Sequence, residues 1–193
     1  MITIVEGALK TAHDLARLEI GTVEWGDGSN PKVVAYFRDA GHPEVVNDET
    51  AWCAAFVGAM LYRAGIKGTG SLLARSYLKW GDAVSIKDIR QGDIGIIPRG
   101  GSTWQGHVFF IDKIANGKVY ALGGNQRDAV NIQTYPVASL IGVRRATSLQ
   151  KAQTTVAAGK PATTPIPDKP KPPATSGLIW ATLAALWAKI TKG

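Results

Sequence analysis

The sequence predicts an α+β protein, with helices in its first half and an antiparallel sheet in its second. Three observations carry the prediction. Apolar residues between positions 7 and 81 recur at three- and four-residue spacing. Between positions 94 and 145 they fall into short β-rich runs broken by turn residues. After Thr147 the composition changes altogether. A chain of 193 residues with a 45% hydrophobic fraction has room for one core and an appendage.

The elements follow in order. Residues 7–19 put Leu9, Ala12, Leu15 or Leu18, and Ala16 on one helical face. Asn30-Pro31 is a cap followed by proline at the first helical position; Val33, Val34, Phe37 and Ala40 complete a short amphipathic helix that Gly41 ends. Asp48-Glu49-Thr50 is an acidic, cap-rich start for a third helix, expected to reach about Arg63 and to stop at Gly65. Residues 71–80 are expected as a fourth, shorter helix closed by Gly81. Strands are expected at 94–97, 107–114, 118–122, 129–135 and 140–145, with Asn116-Gly117 as a hairpin turn between two of them.

The resulting division is a folded domain over 1–148, a linker over 149–176 and a tail over 177–193. Pro161, Pro165, Pro167, Pro170, Pro172 and Pro173 interrupt an Ala-, Thr- and Lys-rich stretch that cannot bury enough apolar area to fold. The tail is apolar again, with Leu178, Ile179, Trp180, Leu183, Leu186, Trp187 and Ile190, and ends in Lys189 and Lys192. A helix of that length spans about 20 Å against roughly 30 Å of hydrocarbon, so an interfacial membrane helix fits better than a spanning one. Docking on the folded domain is the alternative.

Charge follows the same division. The net charge is +7, but six of the lysines and only Asp168 of the acids fall in 151–193, leaving the body nearly neutral. That favours a tail at an anionic surface over a nucleic-acid-binding domain. The N-terminus has no basic start followed by a long apolar run, so synthesis in a cytosol without a secretory signal is expected.

Cys53 is the only cysteine, which rules out an internal disulfide and a multi-cysteine metal site. A buried core position would account for it, since cysteine is among the most buried residue types. In the first turn of a helix, however, amide groups and the helix dipole would favour its thiolate. His107 opens an apolar strand after Gly106, and Gly123-Gly124-Asn125-Gln126 follows the next one. A cysteine–histidine pair needs a third polar group to hold the imidazole tautomer, and Asn125 could supply it. His-Glu-x-x-His and Asp-rich calcium loops do not occur, so no metal and no cofactor are expected.

Taken together, Trp52-Cys53-Ala54-Ala55-Phe56-Val57, the Gly65 to Ser71 run, Ala74-Arg75-Ser76-Tyr77, Gly92-Asp93-Ile94, Trp104-Gln105-Gly106-His107-Val108 and Gly123-Gly124-Asn125-Gln126 resemble the NlpC/P60 and CHAP group of papain-like cell-wall hydrolases, in a phage-associated branch. The resemblance covers about three quarters of the chain. It implies a cysteine hydrolase that cuts an amide bond in or next to the peptidoglycan stem peptide, with Cys53 as nucleophile, His107 as base and Asn125 as orienting group. Gln126 competes with Asn125 for the third place. Asn47, Asp48 or Tyr36 could assist the oxyanion beside the Cys53 backbone N–H. Trp52, Trp80 and Trp104, with Gln105, are candidates for the walls of a substrate groove. The expected biology is an endolysin acting as a monomer on the wall; an antibacterial amidase effector and a non-catalytic wall- or membrane-binding module are the alternatives.

Overall fold

A computed structural model describes residues 12–147. The linker and tail expectations lie outside those residues. The first helix (α1) is described over 12–18. It is followed by α2 (Pro31–Asp39), α3 (Cys53–Arg63), a 3-10 helix at Ala74–Lys79, and strands β1 (Asp82–Ala83), β2 (Ile94–Pro98), β3 (Gly106–Ala115), β4 (Lys118–Gly123), β5 (Asn131–Pro136) and β6 (Gly142–Arg145). The strands form one antiparallel sheet in the order β1-β6-β2-β3-β4-β5. The α+β expectation holds.

Local chemistry explains most boundaries. The Asn30 side chain accepts from the Lys32 amide at 2.9 Å and Pro31 opens α2, while Gly41, at φ +99°, lies just beyond its end. Asn116 and Gly117 both have positive φ, as a type I′ hairpin turn between β3 and β4 requires. Residues 71–80 do not form an α-helix. Arg75 is tied to the carbonyls of Gln105 and Ser102, and the Trp80 indole to Lys67, so the segment follows the loops around it as a six-residue 3-10 turn.

The start of α3 also differs from expectation. Asp48 and Thr50 do not cap it; the helix begins at Cys53, preceded by Trp52, whose side chain makes no capping bond. Asp48 is buried and accepts from the backbone N–H groups of Trp25 and Asn30, at 3.1 and 2.8 Å. Thr50 turns back to Asn47, whose Oδ1 accepts from its N–H and hydroxyl. The first amides of α3 are therefore left without a side-chain acceptor.

Alternation along β3 divides the core. Val108 and Phe110 face α2 and α3, with Tyr36, Phe37, Trp52, Phe56 and Met60. Phe109 and Ile111 face a second cluster with Ile97, Val119, Ala121 and Val143. Asp93 is buried and takes both Nε and Nη2 of Arg145 at 2.7 Å, locking β6 to the turn before β2.

Candidate active site

Cys53 is the first residue of α3 and His107 the second of β3. By its place in the alternation His107 belongs with Phe109, on the sheet face turned away from α3. It contacts the rings of Phe109 and Tyr135 at 5.6 and 6.1 Å between centroids. The two side chains therefore share a space at the end of the sheet rather than across the helix–sheet interface. Both line one cleft of about 270 Å³, together with Arg99, Gln126, Arg127 and Tyr135. Cys53 retains 8% exposure and forms part of the floor of that cleft.

Two glycines bring the parts together. A Cβ on Gly124 would lie 2.4 Å from Trp52 and 2.7 Å from Phe56 Cβ, and one on Gly123 would lie 3.2 Å from His107 Nε2. The end of β4 thus passes directly over the start of α3 and under the imidazole. Only residues without a side chain allow that approach.

The group that holds the imidazole is Gln126, not Asn125. Gln126 Oε1 lies 3.0 Å from His107 Nε2 and also accepts from the Tyr135 hydroxyl at 3.3 Å. Its amide nitrogen donates to the Asn131 carbonyl at 2.7 Å, to Asn131 Oδ1 at 3.0 Å and to the Ala121 carbonyl at 3.2 Å. Those acceptors fix which end of the carboxamide faces the ring. His107 must then carry its hydrogen on Nε2, which leaves Nδ1 as the basic nitrogen. Asn125 adopts a left-handed conformation, φ 56°, and lines the cleft half-buried. That turn carries Asn125 past the imidazole and delivers the next residue to it.

Burial sets the resting charge state. It pushes the Cys53 thiol up, against the opposing pull of the Val108 and Ala54 backbone N–H groups and of Arg99. It also lowers His107 to about 4, against the hydrogen bond to Gln126 and in concert with Arg99. The helix start was expected to bring the thiol toward neutrality; desolvation outweighs it. The resting pair is a neutral thiol beside a neutral imidazole.

Several expected groove residues are structural. Tyr36 is fully buried and donates its hydroxyl to Glu19 at 2.8 Å, so it does not reach an oxyanion. Asp48 and Asn47 are occupied in the loop before α3, as described above. Trp52 is fully buried, its indole N–H bonded to Glu24, and Trp80 lies in the core. Trp104 is 63% exposed on the loop before β3. The Gln105 carbonyl anchors that loop to Arg75 at 2.7 Å. The cleft also holds Arg99, Arg127 and Tyr135, which sequence reasoning missed; the step from the double glycine to Gln126-Arg127 was the available signal. Among the described residues no three His, Cys, Asp or Glu side chains gather as a metal site would need.

Fold and site define an α+β protein with a helix-start cysteine and a strand-start histidine in one cleft. The chain is similar to the P60 domain of an antigen from M. avium paratuberculosis, with 14% identity and a TM-score of 0.47 over 76% of this chain and 98% of that one. It is also similar to the peptidoglycan hydrolase RipB from Mycobacterium tuberculosis, with 20% identity and a TM-score of 0.45 over 73% of this chain and 65% of that one. No protein-family model and no curated protein matches the sequence.

Proposed function

We propose that the protein is a cysteine peptidoglycan hydrolase that cleaves an amide bond in or next to the stem peptide. The observation that carries the reading is the Gln126–His107 hydrogen bond inside a cleft floored by Cys53. It leaves Nδ1 free to act as a base at the one place where the chain has a thiol. His107 Nδ1 takes the thiol proton as sulfur attacks the scissile carbonyl, and the carbonyl oxygen gathers negative charge. The uncapped start of α3 offers the Cys53 backbone N–H to that oxygen. Collapse of the adduct expels the amine, which takes the proton from the imidazolium, and leaves a thioester on Cys53. Water, deprotonated by His107, then releases the acid and restores the thiol. Gln126 holds the ring in place through both proton transfers.

Peptidoglycan enters from the motif resemblance. An endolysin role, and membrane contact through 177–193, rest on the basic, apolar tail sequence. The decisive experiment is release of soluble fragments from purified peptidoglycan by wild type and by Cys53→Ala. Activity in the first and none in the second is expected; equal activity in both disproves the assignment. Deleting 177–193 should abolish liposome binding and spare hydrolysis of purified wall, and unchanged liposome binding would remove the membrane role.

A further inference from the structure

Two guanidinium groups flank the reactive pair with no acid among the described residues to answer them. Arg99 follows β2 and Arg127 follows β4, so they stand on either side of β3, the strand that carries His107. Both are exposed and both line the cleft. Among the described residues neither has an ion pair or a side-chain hydrogen bond, and the cleft lining includes no Asp or Glu. Five other arginines of the described fold have identifiable partners. Arg63 is paired with Asp39 and Glu19, Arg38 with Asp39, Arg17 with Asp112 and Arg145 with Asp93, while Arg75 is bound to two carbonyls.

The two cleft arginines also act on the chemistry. Arg99 is near enough to favour the Cys53 thiolate and to disfavour the charged His107. Arg127 favours the ionised form of Tyr135, whose hydroxyl touches Gln126. A positive field at a small cleft needs an anion to complete it, and the planar fork of arginine fits a carboxylate in two-point fashion.

We propose that Arg99 and Arg127 grip a carboxylate of the substrate adjacent to the scissile amide, so that the enzyme selects stem peptides with free carboxylates over amidated ones. The proposal rests on the hydrolase reading. It makes the two arginines substrate-positioning residues that set specificity by charge. Stem peptides carry such carboxylates on acidic residues and free ends, and amidation removes their charge without greatly changing their size.

The test uses the full chain and purified stem-peptide fragments in free-acid and amidated forms, with kcat and KM read from chromatography of the products. Wild type should favour the free acid in kcat/KM on the order of 10-fold to 100-fold, mostly through KM. Arg99→Gln and Arg127→Gln should each bring the ratio down toward 1, and Arg127→Lys should keep part of it. Thermal melts of each variant establish that it is folded. Equal turnover of both forms by wild type overturns the proposal, as does an equal loss on both substrates in the Gln variants. Absence of any turnover by wild type would instead sink the hydrolase reading. Calorimetric binding of the two fragments to Cys53→Ala then still decides the clamp: tighter binding of the free acid sustains it, and equal binding ends it.

Discussion

Replacing Gln126 by alanine should separate folding from chemistry at a single residue. The side chain accepts from His107 and Tyr135 and donates to Asn131 and Ala121. At about 1 kcal/mol net for each contact, partly offset by water entering the gap, the loss comes to about 3 kcal/mol. For a domain of this size that is roughly 6–12 °C in Tm. The chemical loss is distinct. Gln126 holds the ring as it becomes charged, and a hydrogen bond to a charged group is worth about 1.5–3 kcal/mol. That corresponds to a fall in kcat of roughly 10-fold to 150-fold with KM little changed. The assay is initial-rate release of fragments from purified peptidoglycan, well below the variant's melting range. Asn125→Ala is the internal control and should stay within about threefold of wild type, because Asn125 has no bond to the imidazole. If Asn125→Ala falls as far as Gln126→Ala, or Gln126→Ala keeps full kcat, the assignment of the orienting role is wrong.

Further outcomes follow from the same geometry. With His107 lowered to about 4, the acid limb of kcat/KM should sit near pH 4 to 5, and a limb near pH 6.5 would contradict a neutral resting pair. The same shift makes the unfolded chain bind more protons between pH 4 and 6.5. Its stabilisation, on the order of 3 kcal/mol, is therefore complete above 6.5 and lost as pH falls toward 4; denaturant titrations at several pH values read it directly. Gly124→Ala should cost about 1–3 kcal/mol, because its Cβ meets Trp52 and Phe56 well inside contact distance, and an unchanged melting temperature would refute that contact. Asp93→Ala should cost about 3–5 kcal/mol by leaving Arg145 without its carboxylate, measured by urea unfolding.

Local chemistry was legible wherever a residue acts on its own neighbours. Asn30-Pro31 and Asn116-Gly117 announce their helix start and hairpin because cap and turn geometry are decided within a few residues. Cys53 and His107 were singled out because the pair of residue types limits the chemistry, and both line one cleft. What escaped reading was set by partners far away in sequence. Asp48 looks like a cap but is claimed by amides near residues 25 and 30. Asn125 looks like an orienting amide, yet its left-handed backbone hands that place to Gln126. The two-residue β1 is too short to leave a pattern, and it exists because β6 offers it an edge. The thiol's expected drop in pKa failed because burial, a tertiary property, opposes the helix end.

The Asp93–Arg145 lock has a mechanical consequence. The chain leaves the described fold through β6, which sits between β1 and β2, and β2 separates it from the histidine strand. Traction applied beyond Thr147 would be borne first by that lock and by the β6–β2 ladder. The cleft that holds Cys53 and His107 is thereby separated from strain entering at that end of the described fold.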